Sequence, residues 1–209
     1  MTLRGAACPA SCLVMAGGRG ERLGGPLKPL TEVCGEPMIL RVVRALASSG
    51  VCRIIAVAYS RRTSHILSLP WDEVGHTIVF IETPGMGYAR DLREALREIP
   101  QPTLVFPADM PHLTGRMVAV IARELCSKPW GVVNLEGPRG LTGVSLHRSW
   151  KGSETWGNVR LPQGLFKAWR FIDVDSPGDL EEAMEHCREE RGDATGAGRR
   201  GERLTSAPH

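Results

Sequence analysis

The sequence predicts an α/β domain, a three-layer α/β/α sandwich around a mainly parallel sheet. Three observations predict it: five short apolar runs recur along the chain, helix-period segments fall between them, and the composition is that of one ordinary globular domain. The chain has 209 residues, 42% hydrophobic and 23% charged, which excludes a disordered or collagen-like protein. The runs are Cys12–Ala16, Arg53–Tyr59, Thr77–Ile81, Thr103–Phe106 and Gly131–Leu135. Each is apolar at both odd and even positions, as expected of a parallel strand covered by helices on both faces.

The helical segments follow in order. Pro37 suits a first helical residue, Ile39, Leu40, Val43, Leu46 and Ala47 repeat at helical spacing, and Gly50 ends the run. Tyr88–Ile99 places Tyr88, Leu92, Ala95, Leu96 and Ile99 on one face, with Asp91 among the charges expected elsewhere. Thr114 suits the cap of a helix whose buried stripe is Val118, Ile121, Ala122 and Leu125. Ser176-Pro177-Gly178-Asp179 resembles a capping box before Leu180, Ala183, Met184 and Cys187. The Gly- and Trp-rich stretch Glu136–Arg170 breaks the rhythm and is expected to hold a hairpin excursion or lid. One domain over 1–190 and a disordered tail over 191–209 complete the expectation.

The formal net charge of +3 is too weak to announce a nucleic-acid partner. No apolar run approaches the roughly 20 residues of a membrane helix, and the first ten residues carry no signal-peptide core. Six cysteines without a Cys-x-x-Cys pair are read as buried free thiols in a reducing cytoplasm. His112 and His147 show no metal-ligand spacing and are read as ordinary residues.

The strongest chemical signal follows the first run. Gly17, Gly18, Gly20, Gly24 and Gly25 fall within nine residues, and Lys28-Pro29-Leu30 comes next. Each glycine loses extra backbone entropy on folding, so the cluster is costly as a plain turn. Bare amides at a strand's carboxyl end can instead approach polyphosphate oxygens, with Arg19, Arg22 and Lys28 as cations. Lysine is rare here, four against 22 arginines, so a lysine inside a motif stands out. The dinucleotide fingerprint fails because Leu23 stands where its last glycine belongs, which disfavours a Rossmann oxidoreductase. The P-loop fails because Leu27 and Pro29 flank Lys28.

Ala16-Gly17-Gly18-x-Gly20-x-Arg22 followed by Lys28-Pro29-Leu30 resembles the signature of molybdenum-cofactor-guanylyltransferase-like NTP transferases, with their Rossmann-like, glycosyltransferase-A-like sheet. Glu82-Thr83-Pro84-Gly85-Met86-Gly87-Tyr88-x-x-Asp91-Leu92 and Val174-Asp175-Ser176-Pro177-x-Asp179-Leu180 carry a closer resemblance, to the archaeal adenosylcobinamide-phosphate guanylyltransferases. The likeness spans roughly Leu13 to Cys187. It implies transfer of GMP from GTP to a phosphate-bearing acceptor, a corrinoid in the closer group, with release of pyrophosphate, Mg²⁺ as cofactor and a cytoplasmic setting; a homodimer is left open.

The same resemblance distributes roles. Ala16, Gly17, Gly18, Arg19 and Gly20 hold phosphates, and Arg22 and Lys28 are catalytic. Ser60, Glu82, Thr83, Gly85 and Gly87 contribute to nucleotide binding, with Glu82 equally readable as a solvated strand-end acid. Asp109, by position alone equally a loop or capping aspartate, becomes a metal ligand. Asp175 is the favoured second ligand and Asp173 the fallback, because alternate residues of a regular strand point to opposite faces. Gly143 and Trp156 are assigned to the acceptor, a large flat molecule needing broad apolar surface. Competing readings are a molybdenum-cofactor guanylyltransferase, a sugar-phosphate nucleotidyltransferase and a non-catalytic nucleotide-binding protein.

Overall fold

The computed structural model describes residues 8–18, 25–169 and 171–197. In chain order these form β1 (Ser11–Met15), β2 (Glu32–Val33), β3 (Glu36–Pro37), α1 (Met38–Ser49), β4 (Ile54–Ser60), β5 (Ile78–Thr83), α2 (Tyr88–Arg97), β6 (Thr103–Pro107), α3 (Gly115–Cys126), β7 (Val132–Gly137), β8 (Gly140–His147), β9 (Trp156–Arg160), α4 (Gln163–Trp169) and α5 (Pro177–Ala197). Lys28 lies in a short 3-10 helix over Gly25–Leu30.

Seven strands make one sheet in the order β5-β4-β1-β6-β8-β7-β9. Strand β8 runs antiparallel to both neighbours, and the other pairs are parallel. The stretch expected to form a hairpin excursion therefore extends the main sheet. Apolar residues at both parities have the expected cause in three strands. Cys12 and Val14, Ile55 and Val57, and Leu104 and Phe106 enter the core shared with α1 and α3. The intervening Leu13, Ala56, Ala58 and Val105 enter a second core under Leu92, Ala95 and Leu96 of α2. Burying each such Val, Leu or Ile contributes about 1.5–3 kcal/mol.

Strand β7 departs from the expectation. Val133 and Leu135 are buried, whereas Val132, Asn134 and Glu136 are only half-buried. Helix α2 packs against β4 and β5, and between it and Val132 and Asn134 lies a cavity, so the strand reads as alternating.

Helix ends follow local chemistry. Gly50 closes α1 at φ +63°, a left-handed conformation that costs glycine little. The Thr114 hydroxyl accepts a hydrogen bond from the Met117 N–H at the start of α3. Asp179 accepts the Ser176 N–H at 2.9 Å, and its own N–H donates to Ser176 Oγ at 3.3 Å, the reciprocal bonds of a capping box at α5. Helix α5 runs to Ala197, seven residues into the stretch expected to be disordered.

The cysteines correct the expectation of free thiols. All six are bonded, as Cys8–Cys126, Cys12–Cys52 and Cys34–Cys187, with Cα–Cα distances of 6.1, 5.7 and 5.2 Å. The partners lie 118, 40 and 153 residues apart. Sequence spacing could not show that folding brings them together.

Candidate functional site

The carboxyl ends of the parallel strands build one side of the site. Past β1, the Ala16 N–H donates to the Ala58 carbonyl at 2.8 Å, and the Gly17 carbonyl accepts the Ser60 hydroxyl at 3.3 Å. Thr83, at the end of β5, donates its hydroxyl to the Tyr59 carbonyl at 2.9 Å. A Cβ on Gly17 would sit 3.3 Å from Thr83 Oγ1, so any side chain there would press on the Thr83 hydroxyl. Gly85 has φ +67°, and a Cβ there would lie 3.1 Å from Ser60 Cβ. Ala16, Gly17, Ser60, Thr83 and Gly85 are thus brought together.

Neighbouring assignments divide. Gly18 follows directly, with open space where its Cβ would be. Gly87 holds φ +109° as the cap of α2. Glu82 alternates with Thr83 on the outermost strand, is exposed, and lines a cavity of about 510 Å³ with Phe80, Pro84, Arg90 and Glu94. Arg19, Gly20 and Arg22 lie outside the described residues.

Asp91 corrects a reading. Grouped by sequence with the outward charges of its helix, it is 3% exposed, and its carboxylate accepts the Met86 N–H at 3.2 Å. It pins the loop carrying Gly85 and Gly87. An acid in the first turn of α2, where the helix N-terminus favours negative charge, was the available signal.

The other side of the site is acidic. Lys28 Nζ lies 2.6 Å from Asp109 Oδ2 and 2.8 Å from Asp175 Oδ1, although Asp175 is 147 residues away in the chain. Asp109, Asp173 and Asp175 each bring a carboxylate oxygen within 4.8 Å of the others. The structure brings Asp173 as well as Asp175 to Asp109. Residues 171–175 are not a regular strand, and the Val174 N–H donates to the Asp109 carbonyl at 3.0 Å, so both acids reach Asp109.

Electrostatics follow from this crowding. Burial, then the Asp109 charge and a hydrogen bond with Asp109, then the Asp175 charge push the Asp173 carboxyl up to about 8, against a smaller opposing pull from Lys28. Burial alone would lower the Lys28 ammonium, but Asp109 and Asp175 outweigh it, and its pKa is raised. Among the described residues, Asp109 Oδ1 is buried with no hydrogen-bond partner. An orphaned buried acceptor beside two further carboxylates and a single ammonium suits a hard divalent cation with oxygen ligands.

Beside the acids lies a cavity of about 200 Å³, lined by Arg139, Leu141, Thr142, Phe171, Asp173 and Asp175. Arg139, in the β7–β8 turn, was not singled out by sequence; its guanidinium lies 2.8 Å from Asp179. The Ser176 hydroxyl and then Arg139 hold the Asp179 carboxyl down to about 2. Gly143 has φ +76°, and its missing Cβ would lie 3.4 Å from Pro107, two residues before Asp109.

Trp156 is not brought to this site. It pairs with Val132, which pairs with His147, which pairs with Thr103 at the start of β6. Asp109 follows the other end of that strand, about 20 Å away along the sheet. Trp156 instead lines a cavity of about 610 Å³ with Leu92, Leu96, His147 and Trp150.

A glycine-rich strand end facing a lysine and three aspartates, on this sheet order, defines a nucleotidyltransferase-type α/β domain. Solved structures share the fold. HddC from Yersinia pseudotuberculosis complexed with GMP-PN superposes with a TM-score of 0.65 at 16% identity, covering 85% of this chain and 99% of that one. Molybdopterin-guanine dinucleotide biosynthesis protein A from Archaeoglobus fulgidus gives 0.62 at 16% identity over 86% of this chain and 99% of that one. The model of the MobA-like NTP transferase domain matches residues 12–151, and the chain belongs to that family.

Two curated relatives refine the likeness. Adenosylcobinamide-phosphate guanylyltransferase of Methanocaldococcus jannaschii is 34% identical over 108 residues, 51% of this chain and 55% of that protein. Molybdenum cofactor guanylyltransferase of Pseudomonas putida is 53% identical over 38 residues, 18% of this chain and 20% of that protein. The matches span about half the length of these relatives or less. Among the described residues no helix is long and apolar enough to cross a membrane.

Proposed function

We propose that the domain transfers GMP from GTP to a phosphate monoester acceptor, joining the acceptor's phosphate oxygen to the α-phosphorus and releasing pyrophosphate. The observation that carries this reading is the meeting of Lys28 with Asp109, Asp173 and Asp175 beside the Gly17–Ser60–Thr83 strand ends. Amides of the Ala16–Gly18 segment are the donors for phosphate oxygens. Lys28, enclosed and charged, opposes the negative charge gathering on the leaving pyrophosphate. Asp109, Asp173 and Asp175 would hold Mg²⁺, which when bound supplies charge neutralisation at the triphosphate. The acceptor phosphate is ionised at neutral pH, so no general base is required, and catalysis rests on positioning and electrostatics.

The guanine preference is supported by the names of both relatives above, each a guanylyltransferase. Adenosylcobinamide phosphate is the acceptor favoured by the longer of those matches. A molybdenum-cofactor acceptor is the second reading, favoured by the short but denser match to the Pseudomonas protein. The cavity under Arg139 lies beside the acids and is lined by Asp173, Asp175 and Asp179, so an anionic acceptor would enter it only with a divalent cation bound there. A pyrophosphate-release assay crossing GTP, ATP and CTP with cobinamide phosphates, molybdopterin and hexose 1-phosphates tests the proposal. Turnover with GTP and a cobinamide phosphate supports it; turnover only with another pair reassigns the substrates. No pyrophosphate from any pair would leave a nucleotide-binding protein without this activity.

A further inference from the structure

The three segments that supply Lys28, Asp109 and Asp173/Asp175 meet again behind the site. Cys34 follows Lys28 by six residues in the β2–β3 turn, His112 follows Asp109 by three, and Cys187 lies on α5, which starts just after Asp175. A ring nitrogen of His112 and the sulfurs of Cys34 and Cys187 all lie within 4.8 Å of one another. His112 and Cys187 are 7% and 3% exposed. The His112 ring is held by Nε2, 2.9 Å from the Ala183 carbonyl oxygen. Such a backbone contact is one way a ligating imidazole is oriented.

Two features set this cysteine pair apart from Cys8–Cys126 and Cys12–Cys52. Among the described residues it is the cysteine pair grouped with a histidine at metal-ligand separation. Cys34 also takes φ +58°, left-handed for a non-glycine residue, in a tight hairpin turn where Asn or Gly would be relaxed. A residue kept in a strained conformation points to a use for its side chain.

We propose that Cys34, Cys187 and His112, when the cysteines are reduced, form a zinc site that replaces the disulfide as the staple behind the acidic cluster. A dithiol delivers two electrons and two protons to the Cys34–Cys187 bond and itself closes to a disulfide. Zn²⁺ then displaces the two thiol protons into solvent. Two thiolates and an imidazole are the ligand types this ion prefers, with sulfurs about 3.8 Å apart in a tetrahedral site. The fourth position falls to water. This site is separate from the oxygen-only cluster of Asp109, Asp173 and Asp175 and does not depend on which acceptor the enzyme uses.

Cobalt(II) distinguishes the two clusters, because a thiolate ligand adds a sulfur-to-metal charge-transfer band that carboxylates cannot. The full chain, reduced with excess dithiothreitol and freed of it without air, is titrated with Co²⁺. One equivalent of this band, displaced by Zn²⁺ and missing from the oxidised protein, is expected. Cys34→Ser and Cys187→Ser should lose it, and the Cys8→Ser/Cys126→Ser protein should keep it. His112→Cys should retain the band with intensity rising roughly as three thiolates to two, a readout that stands even where a serine variant misfolds. No band in the reduced protein, a band that survives Cys34→Ser, or a His112→Cys spectrum identical to the parent's would overturn the site.

Discussion

The two halves of the sheet are finished differently. The half formed by β5, β4, β1 and β6 has helices on both faces, and alternate side chains of its inner strands enter two separate cores. The half formed by β8, β7 and β9 is packed against α3 on one face and open on the other, where Trp156 is 67% exposed. The first half presents the tightly fitted Gly17, Ser60, Thr83 and Gly85; the second presents cavities beneath Arg139 and beside Trp150. A close-packed strand end fixes the backbone in one arrangement, whereas an open sheet face can change its side chains without disturbing the core.

The sharpest way to break this contrast is at the seam between the halves. Lys28→Ala removes the one ammonium holding Asp109 and Asp175. Turnover should fall by about 10²–10³, or about 3–4 kcal/mol of transition-state stabilisation, while far-UV circular dichroism keeps its folded signature. Steady-state kinetics showing near-parental kcat would remove Lys28 from the mechanism.

Stability should respond unequally in the two halves. The Cys12–Cys52 bridge lies inside the doubly covered half. Its removal as Cys12→Ala/Cys52→Ala should cost about 2–4 kcal/mol in denaturant unfolding of the oxidised protein. A cost near zero would show that core packing alone holds that half.

The acidic cluster makes the seam sensitive to pH. Native Asp173 keeps its proton up to about pH 8, whereas the unfolded chain releases it near the ordinary value of 3.8. Between those values the folded state binds more protons, so this residue's contribution to stability falls as pH rises and is spent above about 8. Without divalent cations, parental Tm should therefore drop relative to Asp173→Asn between pH 5 and pH 8, in about equal buffer and salt. Added Mg²⁺ should restore more stability at the higher pH. Parallel pH profiles for the two proteins would contradict the assigned burial of charge.

Smaller effects test the edges. Asp179→Ala loses the α5 capping box and the Arg139 pairing, and should cost about 0.5–2 kcal/mol by thermal unfolding. Because the parental carboxyl is held down to about 2, that contribution is present above the unfolded value of 3.8 and is lost as pH falls through about 2. Trp156→Ala, on the open face, should change stability by no more than about 0.5 kcal/mol. It should also leave the GTP KM unchanged; a larger loss in either would mean that face is covered in solution.

Much of the fold was legible because its signals are local. The runs around Val14, Val57 and Phe106 gave the parallel strands, and Gly50, Thr114 and Ser176 gave helix boundaries to within a residue or so. Strand β7 misled because Val132, Val133 and Leu135 read as apolar at both parities, although half the strand faces the open side. Of the site, the glycine loop, Lys28 and Asp109 were readable from motif and resemblance. Asp91 looked like an outward charge because helical periodicity says nothing about a loop folding back over the first turn. Arg139 was invisible because a turn arginine carries no pattern.

The strands, the helix caps and the glycine–lysine motif depend on side-chain alternation, capping and turn preference, which act within a few residues and so can be read along the chain. The Lys28–Asp175 contact, the meeting of Asp173 and Asp175 with Asp109 in one acidic cluster, and the three cysteine pairs exist only once the sheet order is made. The physical reason is distance along the chain. Contacts 40 to 153 residues apart leave no local conformational preference to read, and packing of the whole domain determines them.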